Sequence, residues 1–315
     1  MELKELIKAK ARRLGLDAIG IAPAQVPTTQ AEGLRHWVRY NSIECLSFVG
    51  RTIHKRLNPS AILPGARSMI VAGLGFRPPD LPPRPKGVAV GRVATYAIFQ
   101  DYHEVLRGVL DLLARYIVEV SGRPVMYRIA VDTSPVMERT MAVQAGLGMI
   151  CANHMLAHPI IGPAVFLGEI ITDLELPPDE QIPSPCLGCG QCLAACPTGA
   201  IRSDGLFDAT RCINTWTIEH KGAIPPDVAM LIGDRLYGCD DCITVCPLYR
   251  RAPACSSPLL QPIIERRWIG LDRVLDMTAE EFECAFSGSA IHRIGLERLK
   301  RNARICKAYY DGLRQ

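Results

Sequence analysis

Apolar positions return at helical spacing in residues 2–14, where Leu3, Leu6, Ile7 and Leu14 fall on one face, and Gly15 follows as a stop. Residues 17–24 (Asp-Ala-Ile-Gly-Ile-Ala-Pro-Ala) read instead as a short buried strand ending on proline. A second helix is predicted over 30–40. Residues 68–76 form an unbroken apolar run, the signature of a strand covered on both faces. Five prolines between Arg77 and Gly87 exclude sheet pairing there and predict a loop. The strongest helical pattern opens at Asp101, with Glu104 three residues on in capping-box spacing. Its stripe is Tyr102, Val105, Leu106, Val109, Leu113, Tyr116, Ile117 and Val120. A strand over 125–131, a helix over 136–144 ended by Gly146, and a strand over 164–172 complete the first half.

Helix and strand alternate through about 175 residues, which predicts a layered α/β (α+β) domain over 1–177. The acid- and proline-rich segment 173–185 marks its end. A loop-dominated unit over 178–258 and a basic helical tail over 259–315 are expected to follow.

The loop-dominated unit carries the most specific chemistry. Cys186, Cys189, Cys192 and Cys196, followed by Pro197, form a C-x2-C-x2-C-x3-C-P run. Cys239, Cys242 and Cys246, followed by Pro247, form C-x2-C-x3-C-P, and Cys212 lies between. Three thiolates on one tight loop reach three irons of one cubane, and the fourth cysteine of such a run serves the other cluster. Cluster one is therefore assigned Cys186, Cys189, Cys192 and Cys246. Cluster two is assigned Cys196, Cys212, Cys239 and Cys242. Structural zinc also uses CxxC pairs, but a Cys-Pro closing both runs favours two 4Fe–4S clusters. The remaining cysteines, Cys45, Cys151, Cys255, Cys284 and Cys306, read as small buried apolar side chains.

Composition adds little: 48% hydrophobic and 22% charged residues are ordinary for a globular chain of 315 residues. Met1-Glu2-Leu3-Lys4-Glu5 has acids where a secretory leader needs a basic start, and no apolar run approaches the ~20 residues of a membrane span. A cytoplasmic protein with no membrane association is expected, where thirteen cysteines point to metal rather than disulfides. The net charge of +4 resides in residues 247–315, which hold 12 Lys and Arg against 8 Asp and Glu. A basic helix there either grips phosphate or is a solvated face. Neither G-x-G-x-x-G after a strand nor G-x4-G-K-[ST] occurs, so no dinucleotide fold or P-loop is indicated. Asp132 stands at the end of a hydrophobic strand, where a carboxyl group serves either as a proton donor or as a helix cap.

Longer stretches resemble a known family. Leu16-Asp17-Ala18-Ile19-Gly20-Ile21-Ala22, Arg56-Leu57-Asn58-Pro59 and Leu63-Pro64-Gly65-Ala66-Arg67-Ser68 are followed by Tyr96-Ala97 and Asp101-Tyr102-His103. Val131-Asp132-Thr133-Ser134-Pro135-Val136-Met137-Glu138-Arg139, Phe166-Leu167-Gly168-Glu169-Ile170, Thr217-Ile218-Glu219-His220 and Gly238-Cys239-Asp240-Asp241-Cys242 come later. Together they resemble the cobalamin-dependent epoxyqueuosine reductases, over nearly the whole chain. The resemblance implies that the first domain binds a corrinoid beside cluster one. It implies reduction of epoxyqueuosine to queuosine in tRNA, with Asp132 as proton donor. Arg56, Asn153 and Asp240 become expected cobalamin contacts, and Tyr96 is expected near the reacting face. Lys221 becomes an expected tRNA contact, and Arg298, Lys300, Arg301 and Arg304 of the tail are expected to add to it. A ferredoxin or flavodoxin is the expected electron donor, to a monomer.

Two segments depart from the family pattern. Gly148-Met149-Ile150-Cys151-Ala152-Asn153 stands where the family usually has Gly-Trp-Ile-Gly-Lys-Asn, and Asn41-Ser42-Ile43-Glu44-Cys45 replaces a Gly-His-Gly-x-Met stretch. Two alternatives stay open on that ground: a corrinoid reductase of another small molecule, and an iron–sulfur electron-transfer protein without cobalamin.

Overall fold

A computed structural model describes residues 2–312. In chain order the regular elements of the first half are α1 (Leu3–Arg13), β1 (Ala18–Pro23), α2 (Thr28–Tyr40), α3 (Ser47–Arg51), α4 (Ile53–Leu57), β2 (Ser68–Gly75), β3 (Val90–Val93), α5 (Tyr102–Ser121), β4 (Tyr127–Ala130), α6 (Glu138–Gln144), β5 (Met149–Ile150), β6 (Leu156–Ala157) and β7 (Val165–Thr172). The second half adds α7 (Gln191–Ala195), α8 (Pro226–Ile232), β8 (Arg235–Tyr237), α9 (Asp241–Thr244), α10 (Pro247–Arg251), β9 (Trp268–Gly270), α11 (Leu271–Asp276), α12 (Ala279–Phe286) and α13 (Leu296–Gly312).

The main sheet has the order β1-β2-β7-β4, and each neighbouring pair is antiparallel. Its central strands β2 and β7 are buried at every position because helices cover both faces. Strand residues alternate between the faces. Ile70, Ala72, Leu74 and Ile170 join the core that contains Leu106, Leu110 and Leu113 of α5. Met69, Val71, Leu167 and Ile171 join the core that contains Met141 and Ala142 of α6. Gly20 allows the α6 side to close, since a Cβ there would lie 2.0 Å from the Ala145 carbonyl oxygen.

A second sheet, in the order β8-β3-β9, was not anticipated from the pattern. Val90–Val93 is too short to show a period, and its partners come from the cysteine-rich region and the tail. Through this sheet the first domain, the cysteine module and the tail share one core, which runs from Ile7 to Cys306. Asp101 caps α5 by accepting the His103 N–H (3.0 Å), without a reciprocal bond from Glu104. Of the five extra cysteines only Cys306 is buried, whereas Cys284 is exposed and Cys45, Cys151 and Cys255 are intermediate. The expectation of five buried fillers therefore fails for four of them.

Candidate active site

The chain leaves β4 through Val131 and enters a left-handed turn at Asp132, φ 48°. Such a conformation is costly for a residue with a Cβ and persists only when its surroundings hold it. Here the Asp132 N–H donates to the Glu138 carboxylate at the start of α6, and Thr133 N–H donates to Val131 O at 2.5 Å. Asp132 is thus no cap for α6, which begins at Glu138 without a side-chain cap. The turn sends the Asp132 side chain outward, 55% exposed.

Behind it stands a relay. His103 Nε2 lies 3.0 Å from Asp132 Oδ2, and His103 Nδ1 lies 2.5 Å from Asp101 Oδ1. Arg293 Nη1 reaches Asp101 Oδ2 at 3.3 Å. Tyr102 lies beside Asp132 and stacks on Phe166, with centroids 4.2 Å apart. Burial works against charge on His103, but the two carboxylates outweigh it and raise its pKa. Desolvation would lift Asp132, yet His103 and Tyr102 beside it hold its pKa below the ordinary value. The two shifts favour the charged form of each partner, the imidazolium of His103 and the carboxylate of Asp132.

Two more carboxyls lie inward. Burial, reinforced by the charge of Asp132, pushes Glu138 up to about 8. Glu169 faces the α6 side from the middle of β7. It is 0% exposed, neither of its oxygens has a hydrogen-bond partner among the described residues, and burial raises it well above the ordinary range. Burial biases both toward the protonated, neutral form.

The other expected site residues divide. Arg56 of α4 reaches the Asp132 segment by donating to Val136 O at 3.2 Å, and it feels the charges of Glu138 and Asp132. Tyr96 packs edge-on to Tyr102 (6.3 Å) and against the ring of Tyr237 (6.1 Å), which itself donates to Ala290 O at 2.9 Å. Asn153 and Asp240 are engaged within the protein. Asn153 donates to Cys242 O (3.2 Å) and accepts from Met155 N (3.2 Å). Asp240 Oδ2 accepts from Thr95 N (2.7 Å) and faces Arg267 (3.5 Å), which fixes the turn carrying Tyr96. Arg139, one residue past Glu138, donates to His154 O and so joins the Asp132 side to the loop that holds Asn153.

The cysteines gather in two sets. Cys186, Cys189, Cys192 and Cys246 line one partly open space, with Cys151 and Asn153 on its wall. Gly188 (φ 62°) and Gly190 (φ 70°) give the first loop the left-handed turns that bring its thiols round. Cys242 lies within electrostatic range of Cys239, Cys212 and Cys196. Among the described residues no three His, Cys, Asp or Glu stand close enough to hold one metal ion.

The tail is tied down rather than displayed. Arg301 donates to His220 O (2.7 Å), Gly222 O (2.8 Å) and Trp216 O (2.9 Å). Burial lowers its pKa to about 10. Arg298 donates to Ile294 O (2.5 Å), Ile218 O (2.8 Å) and Arg293 O (3.0 Å). Both guanidinium groups anchor α13 through these main-chain bonds. Lys221 and Arg304 are exposed, and Lys300 is half-buried. His103, Tyr102, Glu138, Glu169 and Arg293 were not singled out from the sequence. The only signal for them was that four of the five lie within the family-like stretches.

Residues 185–249 match the family described as 4Fe-4S double cluster binding domain, and residues 56–133 match the family described as epoxyqueuosine reductase QueG, DUF1730. The epoxyqueuosine reductase of Burkholderia pseudomallei (strain K96243) is 36% identical, over 96% of this chain and 80% of its own. That of Escherichia coli (strain K12) is 32% identical, over 96% and 79%. A crystal structure of epoxyqueuosine reductase with an epoxyqueuosine-modified tRNA-Tyr stem loop superposes with a TM-score of 0.91 at 32% identity, covering 98% of this chain and 81% of that one. The Bacillus subtilis enzyme, solved with its catalytic aspartate loop swung out of the active site, gives 0.89 at 31% identity, covering 98% and 82%. With a double-cluster domain in place and this similarity along almost its whole length, the chain belongs to the epoxyqueuosine reductase family.

Proposed function

We propose that this protein reduces epoxyqueuosine to queuosine in tRNA, with two 4Fe–4S clusters delivering electrons to cobalamin bound at the open face beside Asp132. The clusters are held by Cys186, Cys189, Cys192 and Cys246, and by Cys196, Cys212, Cys239 and Cys242. The first set fits a cubane because its four thiols border one space from different sides. The face beside Asp132 fits a reactive cofactor because its carboxylate points to solvent while the residues that hold it are buried. When bound, cobalamin supplies low-potential reducing chemistry that amino-acid side chains cannot.

The observation that carries the reading is the Arg293–Asp101–His103–Asp132 relay. Removing an epoxide oxygen as water, leaving a C=C bond, takes two electrons and two protons. The Asp132 carboxyl is the group presented outward, and the proton it delivers is kept on His103 behind it. Asp101 fixes the imidazole orientation, and Arg293 keeps Asp101 charged. Tyr102 flanks the carboxylate. Arg56 and Tyr96 flank the site and are the proposed cofactor contacts, with Asn153 and Asp240 positioning its walls. Lys221, Lys300 and Arg304 are the cations left to meet RNA phosphate, which would bring a modified base to the open face.

No helix among the described residues is long and apolar enough to cross a membrane. We take the protein to act as a cytoplasmic monomer with a ferredoxin- or flavodoxin-type electron donor. The test is anaerobic reconstitution with iron, sulfide and cobalamin, followed by nucleoside analysis of epoxyqueuosine-containing tRNA. Conversion to queuosine is expected. Bound corrin without tRNA turnover would move the substrate to another small molecule. Clusters without corrin absorbance would leave an electron-transfer protein.

A further inference from the structure

Helices α2, α3 and α4 follow one another in the chain, and none of the three contains a buried residue. A helix that only covers a core buries an apolar stripe, as α5 does with Leu106, Leu110 and Leu113. The three are nevertheless held in place. A Cβ on Gly50 of α3 would lie 3.2 Å from Val38 of α2, so the two helices pack closely. Buried Asn41, in the turn between them, donates to Phe207 O (3.3 Å) and accepts from Ala209 N (2.6 Å). At the far end Arg56 of α4 donates to Val136 O in the segment after Asp132. Together they form a fixed ledge that begins beside the Asp132 turn and leaves its side chains open.

The ledge is basic. Residues 28–57 hold five Lys and Arg against Glu32 and Glu44. Arg35 and Arg39 stand about one turn apart on α2, Arg51 ends α3 and Lys55 lies in α4, and all four are exposed. None of the four makes an ion pair among the described residues. Arg51 bonds only the neutral Ser47 hydroxyl (2.6 Å), whereas Arg298 and Arg301 of the tail donate to several main-chain carbonyls. Rings lie among the cations. Phe48 is 37% exposed beneath the Arg56 guanidinium, and Tyr40 is 40% exposed and stacked on His36. Cations interleaved with open rings suit a nucleic-acid strand, whose phosphates take the charges and whose bases stack. An acidic protein would use the cations alone. The rings, and the attachment to the segment where the modified base must arrive, favour RNA.

We propose that the α2–α4 ledge docks the stem loop that carries the modified base, with Arg35, Arg39, Arg51 and Lys55 meeting its phosphates. The surface continues toward Lys221: Ile43, in the turn after α2, packs on Ile213 and Trp216, and the loop bearing Lys221 follows Trp216. The inference rests on the tRNA reading above and gives it a place on the molecule.

The test is binding of a fluorescently labelled tRNA stem loop to the reconstituted full-length protein, read by anisotropy over a range of salt. Two double variants are compared with wild type: Arg35→Gln with Arg39→Gln, and Arg51→Gln with Lys55→Gln. Each phosphate contact contributes ~0.7–0.9 to the slope of log affinity on log salt. Each double variant is therefore expected to flatten that slope by about 1.5 and to weaken binding about tenfold or more at low salt. Melting temperature and iron content should match wild type, since the four side chains are exposed. Wild-type protein that does not bind the stem loop ends the tRNA reading, and the proposal with it. Wild-type affinity and slope in both double variants overturn the placement and leave that reading standing. Variants that bind RNA normally but are reduced more slowly by a reduced flavodoxin also overturn it, and give the ledge to an acidic electron donor.

Discussion

His103 Nε2 faces Asp132 Oδ2 at 3.0 Å, so the outermost acid of the site is paired with a base buried behind it. The imidazole is itself clamped by Asp101, whose other oxygen accepts from Arg293.

Asp132→Asn keeps the shape of the turn and removes the transferable proton. Turnover of epoxyqueuosine tRNA is expected to fall by about 10²–10⁴-fold, the usual contribution of a positioned general acid. Corrin absorbance and iron content should be unchanged. A variant that turns over at the wild-type rate would remove Asp132 from the chemistry.

The raised His103 pKa sets a direction for pH dependence. A base whose folded pKa lies above its unfolded value stabilises the fold fully below the unfolded pKa of about 6.5, and loses that contribution as pH rises through the folded value. Activity is expected to decline over the same alkaline window as the imidazolium gives up its proton. His103→Gln should lower the rate by about 10-fold or more and abolish that limb. A pH–rate profile of the two proteins decides it.

Glu138 and Glu169 give the opposite kind of acid. Their folded pKa values lie above the unfolded carboxyl value, so unfolding releases protons once pH exceeds about 4.3. Stability supplied by the neutral forms is present in acid and falls as pH rises, for Glu138 up to about 8. Glu169→Gln removes the Glu169 share of this dependence. Its melting temperature relative to wild type should be higher at pH 8.5 than at pH 5.5, as read by thermal denaturation at the two values.

The anchoring and RNA-facing cations separate by experiment. Arg301→Ala removes bonds to three main-chain carbonyls and should cost at least the ~1.5–3 kcal/mol of one hydrogen bond to a charged group. Denaturant titration measures it. Lys221→Ala should leave stability within about 0.5 kcal/mol while weakening tRNA binding and reducing its salt slope by about one. A salt-independent loss of affinity would exclude a phosphate contact.

Single replacements in the two thiol sets should act separately. Cys192→Ala and Cys239→Ala should each lose about half of the bound iron, and each should leave a different cluster spectrum behind. A variant that loses all iron would show that the two sets are not independent.

The order of residues along the chain determined what depends on near neighbours. Cysteines three residues apart must share a loop, so the two ligand runs were legible in full. Apolar runs such as 68–75 and 165–172 announced strands covered on both faces, and the stripe of α5 announced its buried side. Tertiary structure alone decided what depends on distant segments meeting. Asp101, Asp132 and Arg293 are separated by most of the chain, and only the closing of α5, the β4 turn and the tail aligns them into a relay. Glu169 looked like any polar residue at a strand centre until packing on both faces left its carboxyl without solvent or a hydrogen-bond partner among the described residues. Arg298 and Arg301 read as a phosphate-binding face from charge alone. The folded chain turns them toward open main-chain carbonyls at residues 216–222, because a buried carbonyl needs a donor as much as a phosphate needs a cation.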